Sequence, residues 1–227
     1  MKGCDQMKKV VFLFLILMML SSFAAVSADD LEDVREAGEI RFGIAPEYLP
    51  FIYHDPKGEL TGIDVALMEE IGRRMGVSVK LVDMAFDGLM DSLDIGQVDI
   101  IGGALSKTGS RMERIDFTRV YYKGDARFVG SADLKKPETV DLSSFRDYKI
   151  GVQKGTSFDQ WIKTNLVGAG YVSARNVYTY TNVTDAMNAL DRRNVDLVLL
   201  DQDVYENIFS ILHIFIPITI PAVWAIV

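Results

Sequence analysis

Cysteine and histidine are nearly missing from this 227-residue chain: one Cys, at position 4, and two His, at 54 and 213. Cys4 lies upstream of an apolar run at 10–20, whereas a lipid-anchored exported protein carries its cysteine just after such a run. A lipoprotein is therefore disfavoured, and once the leader is removed no disulfide or thiol chemistry remains. His54 falls in a hairpin turn and His213 in an apolar stretch, and no Cys/His/carboxylate spacing suggests a metal site. No nucleophile is paired with a base either. The sequence thus offers no catalytic residue, no metal ligand and no cofactor site. Basic residues are the third shortage, 24 Lys and Arg against 32 Asp and Glu. Residues 1–28 hold three Lys and one Asp, so without them 21 basic and 31 acidic residues remain, a net charge of −10. Nucleic acid, which needs a basic face, is excluded as a partner. A small anion is not, because net charge says nothing about one pocket.

What is present begins with an export signal at 1–28. Lys8 and Lys9 precede the apolar run, and Ala-Val-Ser-Ala28 follows it. The run is short of the roughly 20 residues that span a bilayer, so a leader fits better than an anchor. The expected location is the periplasm or the cell exterior. The remaining chain, in a sequence 49% hydrophobic and 25% charged, suits one or two globular domains.

Helical and strand patterns alternate along it. Residues 30–37 read as a short helix stopped by Gly38, 39–45 as a strand, and Asp55-Pro-Lys-Gly58 as a hairpin turn. Asp64 reads as the cap of a helix with Val65, Met68, Ile71 and Met75 on one face. Strands are expected at 78–83 and 98–102, with a helix at 86–95 between them. A strand at 126–129 precedes a Pro- and Ser-containing link at 131–144. A second run follows: strands at 149–152, 176–180 and 197–200, helices at 157–163 and 183–192. The class is α/β with parallel sheets, so ligands gather at the C-terminal ends of the strands. An internal echo supports two similar lobes: Leu93-Asp-Ile-Gly-Gln-Val-Asp-Ile100 against Leu190-Asp-Arg-Arg-Asn-Val-Asp-Leu197. Each reads as a helix end, a turn and a buried strand. The expected division is 29–129 for the first lobe, 130–207 for the second and 208–227 for an apolar tail.

The chemistry concentrates after residue 102. Gly103 and Ala104 lead into Ser106, Thr108 and then Arg111, which follows Ser110 at what reads as a helix start. Hydroxyls, free backbone N–H groups and a guanidinium suit a small anion. An isolated arginine here would be a solvated helix residue; the glycines and hydroxyls upstream favour the anion. Thr156 and Ser157, after Gly155 and before a helix, form a second anion corner or a plain N-cap. Asp201 ends the apolar strand of the second lobe, where a carboxylate can take a cation or cap the next helix. A guanidinium on one lobe and a carboxylate on the other suit a zwitterion such as an α-amino acid. Tyr48 and Phe86 lie in loops at strand ends and can clamp an aliphatic part.

At these residues the chain resembles the family 3 extracellular solute-binding proteins, the amino-acid receptors of ABC importers. Four segments carry the likeness: Tyr48-Leu-Pro-Phe51; Gly62-Ile-Asp-Val-Ala-Leu67; Ser106 through Arg111 to Asp-Phe117 and Tyr121-Tyr122; and Gly151-Val-Gln-Lys-Gly-Thr156 with Asp201. The resemblance implies a two-lobed, type II periplasmic-binding-protein-like α/β fold that closes over its ligand, and an ABC-transporter permease as partner. It implies that Arg111 holds the α-carboxylate with Ser106 and Thr156, that Asp201 holds the amino group, and that Tyr48 and Phe86 sandwich the side chain. Gln153 would face that side chain. Ala45 stands where several relatives place an acid, which points away from a basic ligand, although Glu47 is near; a polar amino acid is expected. A membrane-tethered sensor with the same pocket and an enzyme of dehydratase or lyase type are the alternatives.

The chain departs from the resemblance at its end. The relatives return to finish the first lobe, whereas residues 208–227 are uncharged and carry Pro217 and Pro221. The C-terminal part of the first lobe is thus expected to be missing. A shifted reading frame, a membrane anchor making membrane contact, and a substitute core segment each fit the tail; the first is the expectation.

Overall fold

The computed structural model describes residues 30–134, 141–208 and 213–224. The export segment read at 1–28 lies outside them. From the N-terminal side come α1 (Asp30–Ala37), β1 (Glu39–Ile44), a hairpin of β2 (Tyr53–His54) and β3 (Leu60–Thr61), then α2 (Ile63–Met75). β4 (Ser78–Asp83), a 3-10 turn at Phe86–Gly88, α3 (Leu89–Asp94) and β5 (Ile100–Ile101) complete the first group. β1 lies between β4 and β5 and runs parallel to both.

The sequence explains the packing of this sheet. β1 sends Phe42 and Ile44 to one face, where α2 buries Val65 and Met68. Leu89, Val98, Ile101 and Leu105 fill the other face. Each fully buried side chain of this size contributes about 1.5–3 kcal/mol. Gly102 is required by that packing: a Cβ there would stand 2.0 Å from the Met68 terminal methyl. The expected strand at 98–102 is shorter than read, because Val98 and Asp99 belong to the turn.

The second group begins with α4 (Gly109–Met112) and the ten-residue β6 (Tyr122–Ser131). It continues through β7 (Ile150–Gln153), α5 (Ser157–Ile162), a π turn at Lys163–Val167, β8 (Val177–Tyr180) and α6 (Val183–Asp191). β9 (Leu197–Asp201), α7 (Gln202–Ile208) and β10 (His213–Trp224) end it. The strand order is β10-β6-β9-β7-β8. β7 pairs in parallel with β8 and β9, but β6 is antiparallel to β9 and to β10. The second sheet is therefore mixed rather than parallel, since apolar patterning reports burial and not strand direction.

Two expectations change here. The strand read at 126–129 carries Phe128 and Val129 into the core of the second sheet, not the first. The chain thus changes sheets between Ile101 and Tyr122, and we place the lobe boundary there instead of near residue 130. The stretch read as a tail of membrane length is a strand at 213–224, paired along β6 from His213 opposite Ser131 to Trp224 opposite Tyr122. Its register shifts between Ile216 and Thr219, at Pro217, which has no N–H to give the ladder. Among the described residues no helix is long and apolar enough to cross a membrane.

Candidate functional site

The strands end where the sequence placed the chemistry. Loops after β1, β4 and β5 meet loops after β7 and β9 around one cavity. Ala45, Tyr48, Phe86, Gly103, Ala104, Ser106, Gln153, Thr156, Ser157, Phe158 and Asp201 line it. The expected site residues are all in this wall except Arg111, which lies over it. Its guanidinium donates to Ser106 O at 2.8 Å and to Gly155 O at 3.0 Å, and sits 5.6 Å from the centre of the Phe86 ring.

Arg111 is set by a short helix, but its cap is Thr108 rather than Ser110: the Thr108 hydroxyl accepts the Arg111 N–H at 3.3 Å. The loop before it is pinned from behind. Ala104 holds a left-handed φ of 54° and Gly103 one of 102°. The Ala104 N–H donates to Asp64 Oδ2 at 2.9 Å. Asp64 therefore positions the loop at Gly103 and Ala104; it sits inside the first turn of α2, and Gly62 occupies the cap position assigned to it from sequence. Burial pushes the Asp64 carboxyl up to about 6, against the bonds from Tyr121 and Ala104.

Asp201 is the last residue of β9 and is 1% exposed. The Tyr48 hydroxyl donates to its Oδ2, and Oδ1 has no hydrogen-bond partner among the described residues. Burial pushes this carboxyl up to about 7; the Tyr48 bond lowers it and nearby Asp203 raises it. The Arg111 guanidinium is pushed down to about 10, again by burial. Both shifts have one cause: each group is partly stripped of water without a partner of opposite charge. Among the described ion pairs neither Arg111 nor Asp201 appears. Among the described residues the Arg111 guanidinium donates to two carbonyl oxygens, and the Asp201 carboxylate accepts from the Tyr48 phenol.

The remaining residues close the cleft. Ser157 Oγ donates to Ser106 Oγ at 2.9 Å across it. Lys154 Nζ and Asp87 Oδ2 meet at 2.6 Å, also across it. Thr156 does serve as an N-cap: its hydroxyl accepts the Asp159 N–H at 3.2 Å and donates to Gln153 O at 2.8 Å. What it can offer an anion is backbone N–H, not its hydroxyl. Gln153 lines the cavity and its Nε2 donates one hydrogen to Thr181 O at 3.2 Å; the amide oxygen and the second N–H remain as an acceptor and a donor. Phe158 was missed from sequence, because an apolar residue in the first turn of a helix reads as core. The Asp64 role carried a readable signal, an acid directly after Gly62-Ile63, but capping accounted for it equally well. Among the described residues no group of three or more His, Cys, Asp or Glu is placed to hold a metal.

Residues 40–191 match the family described as bacterial extracellular solute-binding proteins, family 3. The chain belongs to that family. It is 31% identical over 172 residues to a probable histidine-binding protein of Campylobacter jejuni, covering 75% of this chain and 63% of that one. It is 30% identical over 205 residues to the L-arginine-binding protein of Pseudomonas aeruginosa, covering 89% and 73%. The chain thus spans about two thirds of the length of these relatives. Among solved structures, the truncated, arginine-bound form of ArgBP from T. maritima superposes with a TM-score of 0.77 at 26% identity, covering 86% of this chain and 90% of that one. The fold is accordingly the α/β, two-lobed type II periplasmic-binding-protein fold.

Proposed function

We propose that this family member captures a polar α-amino acid between its two lobes, outside the cytoplasm, and presents it to an ABC importer. One observation carries the reading: a guanidinium without an anion and a buried carboxylate without a cation flank one cavity. A single α-amino acid satisfies both, its carboxylate on Arg111 and its ammonium on Asp201. Such charge-assisted bonds in a water-poor cleft are about twice as strong as neutral ones. The relatives named for histidine and arginine binding support the ligand class.

Mechanism follows from the contacts already across the cleft. Tyr48–Asp201, Arg111–Gly155, Ser106–Ser157 and Asp87–Lys154 each join a loop of one sheet to a loop of the other. A ligand that replaces the weak partners of Arg111 and Asp201 with full charges stabilises the closed form by its differential affinity. A permease that recognises that form would receive only loaded receptors. We infer binding without turnover: in this reading the ligand ammonium holds Asp201 as an anion, and the relatives are named as binding proteins. Calorimetric titration of the full chain with the common L-amino acids tests this. Saturable one-to-one binding of at least one is expected. No binding by any of them overturns the reading.

A further inference from the structure

We infer that the amino acid taken by this site has an uncharged side chain ending in a hydrogen-bond donor, an amide above all. The inference rests on the amino-acid reading and concerns the part of the cavity that Arg111 and Asp201 leave to the side chain. Once Asp201 is matched to the ligand ammonium, the cavity wall holds no further carboxylate.

The other acids nearby are engaged or displaced. Asp87 is held by Lys154 at 2.6 Å. Asp203 accepts from the Tyr122 hydroxyl and is not in the wall. Asp64 lies behind Ala104 and receives its N–H at 2.9 Å. Glu47 is exposed to solvent. A guanidinium or ammonium side chain would therefore be enclosed without a counter-charge, which is strongly unfavourable. The same holds for a carboxylate side chain. The wall itself has no cation, Arg111 beside it is taken by the ligand carboxylate, and Lys154 is engaged by Asp87.

What the wall does offer is specific. Ala45, Phe86 and Phe158 are apolar and flank the space. Gln153 supplies one side-chain amide, which is anchored by giving one of its two Nε2 hydrogens to Thr181 O at 3.2 Å. The amide oxygen remains as an acceptor. A neutral group that donates to this oxygen and accepts from the second Gln153 N–H, at the end of a short aliphatic stem, completes that arrangement, and the amides of glutamine and asparagine have this form. A site built to hydrogen-bond such a group discriminates by leaving its own polar atom unpaired with any other ligand.

The test is a calorimetric comparison on the full chain at pH 8, with glutamine, asparagine, arginine, lysine and glutamate. Glutamine or asparagine is expected to bind at least tenfold tighter than each charged ligand. A charged amino acid within tenfold of the better amide overturns the inference while leaving the amino-acid reading intact. Binding by none of the panel or of the other common amino acids removes that reading, and the inference with it. Gln153→Glu adds one carboxylate to the wall at constant size. It is expected to shift the arginine-to-glutamine affinity ratio at least tenfold toward arginine. An unchanged ratio in a variant with native circular dichroism contradicts the assigned role of Gln153 and overturns the inference. If that variant does not fold, the panel on the unaltered chain decides alone.

Discussion

In the first lobe the N–H groups of Gln97 and Val98 both turn back to Ser92 O, at 2.9 and 3.4 Å. In the second, those of Asn194 and Val195 turn back to Ala189 O, at 2.9 and 3.4 Å. Asp99 then accepts the N–H of Arg41 at 2.8 Å, and Asp196 that of Lys149 at 2.8 Å. The eight-residue echo in the sequence is thus one helix–turn–strand device built twice. Its two copies differ in the left-handed position and in what the strand delivers. Gly96 sits at φ 68°, Arg193 at φ 63°. Glycine adopts this conformation freely, while arginine adopts it at a cost of about 1 kcal/mol. Arg193 meets Asp133 at 2.7 Å and bonds the Ser131 hydroxyl, tying the turn to the end of β6. The first strand runs into Gly102, which packs against Met68, and Gly103, which leads into the loop that carries Ser106 and Arg111. The second runs into Asp201. One backbone device therefore supplies both halves of the site with opposite charge preferences.

The largest expected effect breaks the first half. Arg111→Ala should weaken amino-acid binding by about 2–5 kcal/mol, since it leaves the ligand carboxylate unpaired in the closed cleft. Calorimetry measures it. Asp201→Asn breaks the second half and should weaken binding by about 2–3 kcal/mol through the ligand ammonium. It should also raise the melting temperature of the ligand-free protein at pH 8, because a buried unpaired charge is removed. An unchanged melting temperature together with lost affinity would mean that the carboxylate is better solvated than its burial indicates.

The pH dependence follows from the same group. The Asp201 carboxyl is raised from 3.8 to about 7 in the folded, ligand-free protein. Between those values the folded state binds more protons than the unfolded state, so this group lowers stability as pH rises through that window. Ligand binding has the opposite trend, because the ammonium needs the carboxylate. Affinity should rise through pH 7 and fall by roughly tenfold per unit below it. Asp64, raised to about 6, also titrates nearby but does not line the cavity. The affinity profile should therefore flatten in Asp201→Asn, as titrations from pH 5 to 8 would show.

The smallest effects sharpen the comparison of the two turns. Asp99→Ala and Asp196→Ala each remove a bond to a strand N–H and should cost about 1–2 kcal/mol by urea unfolding. Asp99→Ala should be the costlier, since Asp99 also pairs with the Arg41 guanidinium at 3.0 Å. Arg193→Gly should change stability by less than about 1 kcal/mol, because relief of the left-handed backbone offsets the lost contacts.

Much of this was legible in the sequence for identifiable reasons. The strand at 78–83 matches β4 at both ends, since Gly76 and the turn after Asp83 bracket it. The lining of the candidate site was legible because Tyr48, Gly103, Ser106, Gln153 and Asp201 all stand at or just past strand ends, which gather around one cavity. β6 was read at less than half its length. Its first half alternates Lys123, Asp125 and Arg127 with small residues, which looks like a loop until β9 and β10 flank it. For 208–227 a shifted reading frame is the expectation, and length and lack of charge raise the anchor alternative; neither argument can report that 213–224 pair as a strand along β6. The contact between Asp64 and Ala104 spans 40 residues, and no local pattern reports it.

The central claim is that Arg111 and Asp201 are the two ends of one zwitterion clamp. It is tested most directly by calorimetry of the full chain at pH 8. The tightest-binding amino acid is compared with two analogues of it, one lacking the α-amino group and one lacking the α-carboxylate. Both analogues should bind at least about a hundredfold more weakly, with the des-amino loss absent in Asp201→Asn and the des-carboxy loss absent in Arg111→Ala. Either analogue binding as tightly as the amino acid would contradict the clamp.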